Sequence, residues 1–150
     1  MSDLDDLRQR IAWRHHLIGW WGMLVFLSLG IGLEALHGLK VGAYLDPENR
    51  LRRLMWTLSH AHGTLLSLLQ IVFALGLGRF GTWNRGRLRL TSFFLIDGWL
   101  LLPLGFFLGG LWHNETDPWI GIVLVPIGAL FLLVAVFLIA LSALGLDRVE

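Results

Sequence analysis

The sequence predicts an all-α integral membrane protein: a four-helix bundle with both termini on the cytoplasmic side. Three observations carry that prediction. Of the 150 residues, 55% are hydrophobic, more than a soluble domain of this length can bury. The apolar residues gather into four runs, each at or beyond the roughly 20 residues that cross a bilayer. Charged residues fall almost wholly between those runs. Backbone amides in hydrocarbon have no water to bond, so each run must satisfy them internally, as a helix. The chain reads as one transmembrane domain spanning residues 1–150.

The first run, "LIGWWGMLVFLSLGIGLEALHG", covers residues 17–38. No small-x-small cleavage site follows it and three more spans do, so it reads as a retained helix rather than a signal peptide. The second, "LMWTLSHAHGTLLSLLQIVFALGLG", covers 54–78, and the third, "LTSFFLIDGWLLLPLGFFLGGLW", covers 90–112. In the third, Gly105 and Gly109 form a G-x-x-x-G match, which in an apolar helix points to close helix packing. The fourth run, 118–146, carries no charge, and Pro126 within it is the expected site of a kink.

Orientation follows from the lysines and arginines of the short connections. Eight of the twelve lie on the side of the termini: Arg8, Arg10, Arg14, Arg79, Arg85, Arg87, Arg89 and Arg148. The other four, Lys40, Arg50, Arg52 and Arg53, share the first connection, and the last connection, "HNETD", has none. This asymmetry predicts cytoplasmic termini and a multi-pass protein of the cell inner membrane. Trp13, Trp20 and Trp21 at one level, with Trp56, Trp112 and Trp119 at the other, fit the two aromatic belts of such a protein. The sequon Asn114-Glu115-Thr116 lies almost against the membrane and reads as an accidental match.

Ionisable residues inside apolar spans are costly and mark candidate sites. Glu34 and His37 stand three apart near the outer end of the first span, on one helical face. Glu-x-x-His is also the spacing by which di-metal carboxylate bundles aim two ligands into a core. His60 and His62 enter from the same side, about 9 to 12 Å into the second span. His113 ends the third span at that level. The metal set expected from this convergence is His37, His60, His62, His113 and Glu34, with copper, zinc or iron as the ion. Being two apart, His60 and His62 point about 200° away from each other, so each must serve a different neighbour. Gly63 beside them lets a flat group or another backbone come close.

Asp97 stands apart, on the cytoplasmic half of the third span. Gln70 reaches a similar depth, and Arg14, His15 and His16 enter at that end. A buried carboxylate needs such partners or takes up a proton. Asp97 with Gln70 is therefore the expected interhelical polar clamp, or a proton relay.

The stretch "SHAHG" at 59–63 resembles the His-x-His segment of the haem-copper oxidase catalytic subunit, notably its cbb3-type branch. In that family the two histidines face opposite ways and bind two different haems. The resemblance implies that His60 and His62 are axial haem ligands; the histidine convergence adds His37 as a further cofactor-binding candidate, with haem b or a transition metal as the expected cofactor. The resemblance covers a handful of residues, and the one adjacent histidine pair, His15-His16, lies at the opposite face, so no oxygen- or NO-reducing centre follows.

The expected function is accessory: electron transfer or metal handling in a homo-oligomer or larger membrane complex within the lipid bilayer. The alternatives are a non-catalytic assembly subunit and a small proton-coupled transporter. No serine, histidine and carboxylate set is legible, so no catalytic residue is assigned. The chain has no cysteine, which removes disulfides, thiolate metal sites and covalent c-type haem attachment. The arginine-rich loop after the second span suits lipid headgroups rather than nucleic acid.

Overall fold

The computed structural model describes residues 3–112 and 117–144. Among these the chain is helical, without a β-strand. Four long helices dominate: α1 (Asp3–Gly38), α3 (Arg50–Gly76), α4 (Arg85–Gly109) and α5 (Leu124–Ala143). A one-turn helix, α2 (Gly42–Leu45), and a 3-10 turn at Pro47–Asn49 fill the first connection; a second 3-10 turn, Ile120–Val123, leads into α5. Each long helix, α3 and α5 taken with the 3-10 turns before them, is long and apolar enough to cross a membrane.

The helices depart from the apolar runs at their ends. α1 begins at Asp3 rather than at residue 17 and runs for 36 residues. Asp3, Asp5 and Asp6 occupy its first turn, where carboxylates oppose the positive end of the helix dipole. It stops at Lys40, which takes φ 53°. The Lys40 amide donates to the His37 carbonyl and the Val41 amide to that of Leu36, both at 3.1 Å. This is a Schellman closure with lysine where glycine is usual. α4 starts before its apolar run because the Asn84 side chain accepts from the Arg87 amide at 2.8 Å and caps the helix.

Pro126 does not kink the fourth span. It is the third residue of α5, in the first turn, where no intrahelical partner waits for its missing N–H. The proline that does lie inside a helix is Pro103 of α4. Its carbonyl accepts from the Ser59 hydroxyl of α3 at 2.9 Å.

Packing runs in sequence: α1 lies along α3, α3 along α4, and α4 along α5, with a smaller contact between α1 and α4. Small residues set the approach. A Cβ on Gly22 of α1 would overlap Ser67 of α3 and Trp99 of α4, and one on Gly63 of α3 would overlap the Phe26 ring. Gly105 faces Leu124 and Val125 of the fourth span, the close packing its G-x-x-x-G setting predicts. At the end carrying the N-terminus, Leu7, Ile11, Phe73, Leu77, Trp83, Leu88, Leu95 and Ala135 form the apolar core. Outside it the apolar surface stays uncovered: Trp20, Leu24 and Ile31 of α1 and Leu130, Leu133 and Phe137 of α5 are all more than half exposed.

Gly22→Val should therefore destabilise the protein by about 1–3 kcal/mol through overpacking. Gly32→Ala, with nothing within 4 Å of its added methyl, should not. Unfolding of both variants in detergent, followed by circular dichroism, measures the difference.

Candidate functional site

Helix α3, packed between α1 and α4, carries His60, His62 and Gln70. Its buried stripe is Ser59, Gly63, Ser67 and Gln70, one face at three- and four-residue steps. His60 and His62 flank that stripe, half-buried, and leave the helix in opposite directions. The His60 ring lies against Gly30 of α1, in the space a Cβ would need, and its Nδ1 is 2.7 Å from the Phe26 carbonyl. His62 turns towards α4, 5.0 Å from the Phe106 ring, with its Nδ1 2.8 Å from the Leu58 carbonyl one turn back.

These two bonds fix the chemistry of both rings. A carbonyl oxygen can only accept, so Nδ1 carries the proton, and in the neutral ring the lone pair sits on Nε2. Neither Nε2 has a partner among the described residues. Histidines that ligate metals are commonly held in this way, through an N–H to a backbone carbonyl. Glu34 and His60 line one open groove of about 350 Å³ together with Leu27, Gly30, Ile31 and Thr57.

The described members of the wider metal set are not gathered into one cluster. Glu34 and His37 are exposed, with His37 in the last turn of α1. His113 lies outside the described residues, as does the sequon beside it. Among the described residues no group of three or more His, Asp or Glu is placed to hold a metal ion. The reason is geometric: two-residue spacing sends His60 towards α1 and His62 towards α4, and His37 lies at the exposed end of α1.

At the other end of the bundle the polar clamp exists, but His15 takes the place expected for Asp97. His15, Gln70 and Ser92 are fully or almost fully buried. The His15 Nδ1–H donates to Gln70 Oε1. Gln70 Nε2 in turn donates to the Leu95 carbonyl at 3.0 Å. His15 Nε2 is 2.8 Å from the Ser92 hydroxyl, which also accepts from Arg14 at 2.8 Å. Each donor thus meets an acceptor in a single assignment across α1, α3 and α4. Leu95 faces α3, and Asp97, two residues on, is carried about 200° round the helix away from Gln70. Asp97 is half-buried without a polar partner among the described residues.

No protein-family model, curated protein or solved structure matches the chain. The site must therefore be read from its own chemistry. In the first connection, Arg52 donates to the Gly110 and Leu111 carbonyls at 3.1 and 3.3 Å, closing the end of α4. Arg53 bonds the Tyr44 and Asp46 carbonyls. Trp56, placed in the aromatic belt by its position, stacks on Phe107 and donates to that residue's carbonyl at 3.3 Å.

The role of His15 was written in the spacing. Leu7, Ile11, His15, Gly19 and Gly22 are buried residues of α1 at three- and four-residue steps, so the glycine stripe extended backwards meets His15 and not His16. Gln70→Leu should cost about 1–3 kcal/mol, because it leaves His15 and the Leu95 carbonyl unpaired in the interior. Asp97→Asn should leave unfolding unchanged. Parallel denaturation of the two variants tests the assignment; equal losses would return Asp97 to the clamp.

Proposed function

We propose that this is a multi-pass inner-membrane protein with cytoplasmic termini, in which His60 and His62 are single axial ligands for haem b. In this reading it serves as an accessory electron-transfer subunit of a homo-oligomer or a larger membrane complex. Membrane residence is supported by α5, which has no charged residue and leaves most of its apolar side chains uncovered; such a helix needs an apolar solvent. Orientation is supported by the arginine distribution. Two of the four basic residues on the first connection, Arg52 and Arg53, are engaged by backbone carbonyls.

The observation that carries the haem reading is the pair of imidazoles pinned through Nδ1, each with an unengaged Nε2. A haem needs one or two axial imidazoles, so a lone histidine on each face is sufficient, whereas a copper, zinc or iron ion held by side chains alone would need three or more donors in one place. The groove beside His60 opens outwards. When bound, haem b supplies one-electron transfer. The protein's part is to fix the ring tautomer and keep Gly30 clear for the imidazole.

The assembly-subunit reading rests on a different observation. Five of the most buried polar side chains, His15, Gln70, Ser67, Ser92 and Ser59, bond within the chain, and Thr91 is the exception. It predicts a stable complex that needs no cofactor.

The absorbance spectrum of protein purified in detergent from haem-replete cells separates them. The haem reading expects a Soret band, reduced by about half in His60→Ala and in His62→Ala and absent in the double variant, with helicity retained. Protein lacking both a Soret band and stoichiometric metal would leave the assembly reading.

A further inference from the structure

Asp97 is the central residue of α4, twelve from Arg85 and twelve from Gly109. Within the apolar run 90–112 it lies seven residues from the start, about 10 Å in at 1.5 Å per residue. Its neighbours along the outer face are Leu90, Phe93, Leu100 and Leu104, exposed by 52, 52, 48 and 36%. Together the five residues form a ridge at alternating steps of three and four. That is the a/d spacing of a helix that packs against another, and a lone polar residue at one such position sets register and partner choice.

A face served only by lipid has no use for a carboxylate inside the span, where an ionisable group is costly and is normally paired. This chain cannot pair it. Asp97 has no polar partner among the described residues, and the four apolar runs contain no lysine or arginine. A second copy would therefore bring another carboxylate and no lysine or arginine within its spans. Charge complementarity selects a different chain.

We propose that the α4 ridge from Leu90 to Leu104 docks a transmembrane helix of a partner protein whose lysine or arginine, at the level of Asp97, pairs with it. The proposal rests on the membrane reading above and is independent of the haem. Burying the ridge covers its four apolar side chains. The ion pair forms away from water, and its position fixes how far the two helices slide along one another.

The chain has no cysteine, so Gly78→Cys, at an exposed position after α3 with nothing within 4 Å of an added Cβ, gives the full-length protein one labelling site off the ridge. The donor-labelled protein is reconstituted in phosphatidylcholine vesicles with an acceptor-labelled poly-leucine helix carrying a lysine at the level of Asp97, or with its all-leucine twin. The lysine peptide is expected to give energy transfer at about tenfold lower peptide-to-lipid ratio than the twin. Asp97→Asn and Asp97→Leu, neither of which removes an internal bond, should abolish that preference while helicity is kept. Equal transfer to both peptides, or a preference that survives Asp97→Leu, overturns the proposal. Transfer between donor- and acceptor-labelled copies without peptide, lost in Asp97→Leu, overturns it in favour of a second copy. Flotation separates the two levels. Protein that floats with vesicles but shows no preference refutes the docking alone, whereas protein that does not float refutes the membrane reading with it.

Discussion

Helices whose outward faces are as apolar as their inward ones gain little by hiding side chains from each other. Their contact has to come from close approach and from polar bonds. In this chain α3 supplies both from one stripe. Gly63 admits Phe26, while Ser67 of the same stripe sits where Gly22 leaves room for it. The Ser67 hydroxyl donates to the Gly63 carbonyl at 2.7 Å and accepts from the Trp99 indole at 2.9 Å, and Ser59 and Gln70 reach α4 carbonyls at either end. The placement of His60 and His62 is a by-product of that stripe: once Ser59 and Gly63 face inwards, the residues between them must flank the seam.

This explains which features were legible in the sequence. Helix number and the opposed directions of the two histidines depend on local periodicity alone, and α3 and α4 lie within a few residues of their apolar runs. The long start of α1 was not legible, because polar residues such as Gln9 and Arg10 break an apolar run without breaking a helix. The clamp was half legible. Gln70 was singled out by its depth, but Asp97 was matched to it on depth as well, and depth carries no azimuth. Turning each helix by its own small-residue stripe would have given His15 to Gln70 and set Asp97 outwards.

The same reasoning separates two kinds of polar residue. His15, Gln70, Ser92 and Ser59 are saturated by partners inside the chain and act on the fold. Asp97 and the Nε2 atoms of His60 and His62 have no such partner among the described residues. Buried polar groups in folded proteins are generally paired. Partly covered groups that stay unpaired are where something from outside the chain finds a place to bind.

The length of α1 has a consequence of its own. Its 36 residues extend for about 54 Å, against a hydrocarbon thickness of about 30 Å. Around 20 Å of rigid rod is left over. Asp3, at the tip, is paired with Arg85 at the start of α4, so the rod is guyed to the bundle like a mast. The overhang is electrically balanced, with Asp3, Asp5 and Asp6 at its tip and Arg8, Arg10 and Arg14 behind them, and Leu7 and Ile11 hold its flank against the bundle.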